Sequence, residues 1–151
     1  MTQNEKDLLL KDLCARLPYG VKGRVTRCDS NNRECEFVAT IDGKLYDRFA
    51  EFQDSWYDNI TIKPYLFPLS SITEEQAIEL FNIFGISLVD SVGANYIKVN
   101  EVTGITFFFQ NGFDVETHLD RLINWLNKNH LDWRGLIPKG LAIDATNLNI
   151  Y

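Results

Sequence analysis

Asp114, His118, Arg121 and Trp125 recur at spacings of four and three. On a helix, at about 100° per residue, they share one stripe. A carboxylate placed ahead of an imidazole can orient it as a general base. The local sequence supplies no nucleophile or metal partner to complete such a site, and a solvated helix face with one i,i+4 pair accounts for the same spacing. A second grouping is Asp132-Trp133-Arg134-Gly135. Trp and Arg carry much of the energy of an interface once desolvated. Trp133 and Arg134, with Trp125 and Trp56, are therefore candidate binding residues. The competing reading turns them inward, with Trp133 buried against the last helix and Arg134 paired with a carboxylate that fixes the tail.

Other chemistry has less to stand on. His130 falls just past the same helix, where a histidine can cap carbonyls and favour the negative end of the dipole. Asp42, Asp47, Asp54, Asp58, Asp90 and Asp132 could supply the two carboxylates of a glycosidase, but sequence cannot pair them across a cleft. The glycines of residues 20–23 and 135–140 lack the strand–loop–helix setting of a phosphate loop. Cys14, Cys28 and Cys35 match no zinc or redox spacing, so no metal and no cofactor is expected. Cys28 and Cys35 could face each other across a hairpin, though free thiols in a reducing compartment are preferred.

The net charge of −6 argues against a nucleic-acid partner, because Lys and Arg supply non-specific affinity by displacing counterions. Lys22, Arg24 and Arg27 form a mild basic stripe that does not reverse that sign. The polar opening, Met1-Thr2-Gln3-Asn4-Glu5-Lys6-Asp7, is no signal peptide, and no apolar run reaches the length of a membrane span. These features place the protein in the cytoplasm.

The elements that must position these residues follow from periodicity. Residues 3–17 read as a helix with Leu9, Leu13 and Leu17 on its apolar face, Leu10 and Cys14 beside them, and Pro18 ending it. Residues 21–27, 34–41 and 44–50 alternate as strands. Asp42-Gly43 marks a two-residue hairpin between the last two. Residues 51–59 are ambiguous, and residues 60–62 form a last short strand. Pro64 and Pro68 then impose a crossing loop.

Thr73-Glu74-Glu75-Gln76 is a capping box that starts a helix running to Phe84 and stopping at Gly85, with Ala77, Leu80, Phe81 and Phe84 as its buried face. Residues 86–90, 96–99 and 105–110 read as strands, and the apolar Ile105-Thr106-Phe107-Phe108-Phe109 is expected at the centre of its sheet. Residues 114–129 form a long amphipathic helix whose core stripe is Val115, Leu119, Leu122, Ile123 and Leu126. Trp133, Leu136, Ile137 and Leu141 are too apolar to stay solvated, so the tail should pack on the domain.

Two stretches carry a resemblance. Lys63-Pro64-Tyr65-Leu66, Pro68, Ser70-Ser71 and Thr73-Glu74-Glu75 form one. Trp125-Leu126-Asn127, His130, Asp132-Trp133-Arg134-Gly135-Leu136-Ile137 and Lys139-Gly140-Leu141-Ala142 form the other, with Leu17-Pro18-Tyr19-Gly20-Val21-Lys22 near the start. In these the chain resembles a family of small uncharacterised proteins of gut Bacteroidetes and of their phages and mobile elements. Residues 24–59 add little to the likeness. The resemblance implies an intracellular protein, with a phage or prophage among its sources, and carries over no functional residue.

The length of 151 residues suits one domain. The expected architecture is α+β: antiparallel sheet with an N-terminal helix, a central capped helix and a long amphipathic helix near the C-terminus. The alternative divides the chain near residues 63–72 into two subdomains, the first a small barrel-like meander. The preferred function is a non-enzymatic protein-interaction module, recognisable by an exposed apolar patch rimmed by polar groups. The alternatives are a small hydrolase built on paired carboxylates or His118, recognisable by a deep pocket gathering them, and a nucleic-acid-binding accessory protein.

Overall fold

The computed structural model describes residues 1–27, 32–41, 44–47, 50–55, 60–84, 86–87, 95–100, 104–108 and 115–151. The chain is α+β. In order it forms α1 (Gln3–Arg16), β1 (Lys22–Arg27), β2 (Asn32–Ile41), β3 (Lys44–Asp47), β4 (Ala50–Ser55), β5 (Ile60–Leu66), α2 (Glu74–Phe84), β6 (Ile86–Ser87), β7 (Asn95–Asn100), β8 (Gly104–Phe108), α3 (Val115–Lys128) and β9 (Ile143–Asp144).

A capping box starts α1. The Thr2 hydroxyl accepts from the Glu5 amide at 3.3 Å, and the Thr2 amide donates to the Glu5 carboxylate at 2.6 Å. The signal, Thr2 followed three residues later by Glu5, is plain in the sequence. The apolar face lands as expected: Leu9 and Leu13 are buried and Leu17 is partly so. Cys14, expected beside that face, is exposed. Asp12 and Arg16, on what reads as the polar side, are fully buried.

One sheet runs in the order β4-β3-β2-β1-β5-β9 and a second in the order β6-β7-β8. The first begins as the expected antiparallel meander, with Ile41 opposite Lys44, so two residues span the β2–β3 hairpin. Those residues, Asp42 and Gly43, lie outside the described residues, as do Cys28 and Gly85. The ambiguous residues 51–59 contribute part of β4, paired antiparallel to β3.

Three expectations are corrected. The sheets are mixed, because β9 pairs parallel to β5 and β6 parallel to β7. For β9 the long connection through α2 and α3 permits a parallel approach that a hairpin could not give. Next, residues 63–66 continue β5 instead of forming a loop. Pro64 is tolerated because it sits where partners change: Gly23 opposite Pro64 ends the pairing with β1, and Tyr65 opposite Ile143 begins the pairing with β9. Lastly, β8 is at an end of its three-stranded order and β7 is central. An apolar run reports how well the faces of a strand are covered, not how many neighbours it has.

Gly23 lets this sheet close up. A Cβ there would stand 2.6 Å from Cε2 of Phe37 and 2.7 Å from the Lys63 carbonyl oxygen. The Phe37 ring therefore reaches the core that Leu9, Leu13, Val21, Val25 and Ile62 build between α1 and the sheet.

A second core joins α2 and α3 through Leu69, Leu80, Phe84, Leu122, Trp125, Leu126 and Leu131. A third, of Leu66, Leu136, Leu141 and Ala142, holds the tail. The tail is packed, as its composition requires. Phe67 donates to the His130 carbonyl at 2.9 Å and accepts from the Asp132 amide at 2.8 Å, and Ala145 donates to Leu66 at 2.9 Å. Gly135 and Gly140 adopt φ of 65° and 69°, which gives the turns their handedness.

Candidate functional site

Of the two groupings singled out from sequence, Arg121 stays on the surface and the other members are buried or half-buried in the molecule or lie beyond what is described. Trp56 and Asp114 lie outside the described residues, and so does the side chain of His118. Arg121 is on the surface of α3, its guanidinium 5.9 Å from the centre of the Phe84 ring on α2. Trp125, a candidate binding residue from its place on that stripe, is only 7% exposed and belongs to the core. The reason is the tail. It covers the last turns of α3 on a second side, burying Asn127, whose Oδ1 accepts from Nε1 of Trp133 at 2.9 Å. A stripe that would face solvent on an isolated helix is thereby enclosed.

Arg134 also points inward. Its Nη1 donates to Oδ1 of Asp12 at 2.9 Å, and its guanidinium lies 4.0 Å from the Trp133 ring centre. Asp12 in turn holds Arg16 with two bonds, Nε to Oδ2 at 2.7 Å and Nη2 to Oδ1 at 3.0 Å. Nη2 of Arg16 also donates to the Leu131 carbonyl at 2.8 Å. Asp132 closes the tail turn by accepting from the Leu136 and Ile137 amides, both at 2.7 Å. Burial pushes its carboxyl up from the ordinary range, and those two amides act against the rise. Trp133 and Arg134 thus lock the tail to α1 and α3.

Beneath the start of α2 lies a cleft of about 480 Å³ lined by Phe67, Ser71, Thr73, Gln76, Lys128, Asn129, His130, Leu131, Thr146 and Tyr151. Several of its polar groups are engaged with one another or with nearby backbone carbonyls. Ser71 donates to the Pro68 carbonyl, the Gln76 amide donates to the Thr73 hydroxyl, the Gln76 side chain donates to Asn129, and Asn129 donates to the Trp125 carbonyl. His130 has a positive φ of 52° and its amide closes the helix end on Asn127 at 3.1 Å.

The His130 imidazole stacks on Tyr151 with ring centres 3.9 Å apart. Burial first, then the charges of Arg16 and Lys22, push its pKa down to about 4. It is neutral at neutral pH, so the helix end gains no cation from it, contrary to the reading from position alone. Among the described residues no group of three or more His, Cys, Asp or Glu is placed to hold a metal.

Two residues of the basic stripe are engaged as well, and the side chain of Arg27 lies outside what is described. Lys22 donates to the Ile150 carbonyl at 2.5 Å, and Nε of Arg24 meets Oε1 of Glu34 at 3.0 Å. Glu34 also accepts from the Tyr65 hydroxyl. Burial, with Glu34 adding to it, pushes that phenol up to about 12.

What remains open is the outward face of α2. The capping box stands as expected, with the Thr73 amide donating to Oε1 of Gln76 at 3.0 Å and the Gln76 amide donating to the Thr73 hydroxyl at 3.2 Å. From there Leu80 and Phe84 turn into the core against α3. Phe81, expected on that buried face, is 57% exposed, Ile78 is 54% exposed and Ile83 39%. The cause can be read from the helix itself. Ile83, Leu80, Phe84, Ala77, Phe81 and Ile78 span roughly 220° of its circumference, at about 100° per residue. That is far wider than the stripe of somewhat over 100° that one packed face covers. The core takes the middle of the arc and leaves both flanks in water.

Glu74 falls between Phe81 and Ile78 around the axis, and Glu75 and Glu79 continue the exposed side toward Ile83. Neither Glu74 nor Glu79 makes an ion pair among the described residues, and α2 contains no Lys or Arg. Sequence reasoning missed this site because it placed Phe81 in the core. The excess width of the apolar arc was the signal that could have found it.

No family model, no curated protein and no solved structure matches this chain. Among the described residues, no helix is long and apolar enough to cross a membrane.

Proposed function

We propose that the protein is a non-enzymatic interaction module of the cytoplasm that docks a partner protein through the outward face of α2. One observation carries the reading: Ile78 and Phe81, one turn apart on a helix anchored from its other side, are each more than half exposed and have carboxylates around them. Apolar side chains grouped in this way and rimmed by charge are characteristic of a contact surface.

The hydrolase reading has less support. The cleft beneath α2 gathers hydroxyls and amides already bonded within the fold, and its histidine is neutral and stacked on Tyr151. Nucleic-acid binding loses support too, since Lys22 and Arg24 are engaged within the fold. An origin in a phage or prophage belongs to the same proposal and rests on the resemblance in residues 63–75 and 125–142.

A photo-crosslinking residue at position 81, in cells that make the protein naturally, tests the docking face. A discrete adduct should form from position 81 and not from the exposed position 139. Identical adduct patterns from the two positions, or none from position 81, would overturn the reading.

A further inference from the structure

We infer that the occupant of the α2 face is a basic amphipathic helix of a partner protein, an inference that rests on the docking role proposed above. The apolar part of the surface is a ridge, since Phe81 and Ile78 are neighbours a turn apart with Ile83 on the opposite flank. A second helix can seat its own apolar residues, spaced three and four apart, beside such a ridge.

The charge that α2 itself carries is of one sign, and a cation from α3, Arg121, stands over the Phe84 ring. Glu74 lies between Phe81 and Ile78, Glu75 and Glu79 lie on the far side, and no basic residue of α2 offsets them. Two of these carboxylates have a reason internal to the helix. Glu74 and Glu75 sit in the first turn, where the dipole favours negative charge. Contact with backbone and with Thr73 holds the Glu75 carboxyl below its usual range. Glu79 is beyond that turn and has no such reason. A helix whose apolar stripe is flanked by Lys or Arg would meet both parts of this surface.

The same charge weighs against the other occupants. A second copy of the chain would bring three more glutamates and a further net charge of −6. An anionic lipid surface would be repelled by the carboxylates that border the apolar residues.

The test uses the full chain and three synthetic helical peptides with one apolar stripe, flanked by Lys, by Gln or by Glu. Binding is followed by fluorescence anisotropy at low and high salt. The Lys peptide should bind, more tightly than the Gln peptide and far more tightly than the Glu peptide, and salt should weaken it. Glu74→Gln with Glu79→Gln should weaken the Lys peptide about three- to tenfold, as expected for two exposed charge pairs. Ile78→Ser with Phe81→Ser should abolish binding while circular dichroism stays that of the parent.

Equal binding of the Lys and Gln peptides, unchanged by the glutamate variants, would overturn the basic character and leave the docking face standing. Equal binding by the parent and by Ile78→Ser/Phe81→Ser, or no binding of the Lys peptide at all, would overturn the assignment of this helix to this face. A dimer seen by sedimentation and lost in Ile78→Ser/Phe81→Ser would make the occupant a second copy and overturn the partner inferred here.

Discussion

At the foot of α1 one fully buried carboxylate, Asp12, serves two guanidiniums, that of Arg16 fully buried and that of Arg134 mostly so, whereas on α2 three glutamates border apolar side chains that solvent reaches. Both regions mix charge with large apolar groups, and residue type alone does not separate them. Asp132-Trp133-Arg134-Gly135 has the look of a contact surface, and its polar side chains bond within the fold. Glu74-Glu75-Gln76-Ala77-Ile78 looks like the start of an ordinary amphipathic helix and is the open one. What distinguishes them is whether the chain brings its own partner. Arg134 reaches Asp12 across 122 positions of sequence, and no described residue does the same for Glu74 or Glu79.

The strongest way to break the comparison is to remove the shared carboxylate. Asp12→Ala leaves Arg16 buried with the Leu131 carbonyl as its remaining acceptor, and Nη1 of Arg16 already has no partner. Uncompensated buried charge of this kind costs about 3–5 kcal/mol. Urea denaturation of the parent and of Asp12→Ala should show a loss of that order. A loss below about 1 kcal/mol, the level of an exposed ion pair, would mean that the cluster is no more closed than the α2 face.

His130 gives the next largest effect and places the closed region on a pH axis. Its folded pKa of about 4 lies below the 6.5 of the unfolded chain. The stability it contributes is therefore complete above about pH 6.5 and is lost as the pH falls from there to about 4. A gap of this size corresponds to about 3 kcal/mol. The groups acting on it are Arg16 and Asp12 from α1, Lys22 from β1 and the backbone at Tyr19. Asp132, raised by burial, works with the opposite sign and gains stability as pH falls through its folded value. The informative quantity is thus the difference between the parent and His130→Asn, since Asn tolerates the positive φ. The variant should lose stability less steeply between pH 6.5 and 4.5. Parallel curves would show that the imidazole is not held neutral by its surroundings.

These two regions also mark how far the sequence could be read. Local signals were legible: the Leu9 and Leu13 face of α1, the Thr73–Gln76 box and the two-residue spacing of the β2–β3 hairpin each depend on neighbours in the chain. The Asp12–Arg16 spacing of four was legible as a helix pair, but not its burial, because the tail that covers it arrives from residues 131–134. Pro64 misled because a proline forbids a backbone donor, not a strand, and β5 changes partners at that residue. Trp125 and Phe81 were misplaced for one shared reason. Periodicity fixes which residues share a face, and only tertiary packing decides which face is covered.

A smaller effect tests how firmly α2 is set at its start. Thr73→Ala removes the hydroxyl that accepts from the Gln76 amide and should cost about 1 kcal/mol. The denaturation midpoint should fall accordingly. An unchanged midpoint would mean that α2 begins elsewhere and that its outward face is not fixed by this cap.

The smallest expected change is the most telling about the open region. Phe81 is an aromatic residue, and were it core its truncation would cost about 3–5 kcal/mol. At 57% exposure it leaves little cavity behind, and Phe81→Ser should keep stability within about 0.5 kcal/mol of the parent. Serine is only slightly less helix-favouring than average, so propensity adds at most a few tenths. Chemical denaturation of the parent and of Phe81→Ser decides the point. A loss above about 2 kcal/mol would place Phe81 in the α2–α3 core, remove the apolar centre of the proposed docking face and make the two regions alike. Near-equality, with the Lys-flanked peptide no longer bound, would mean that a bulky aromatic at this position contributes to association and not to folding.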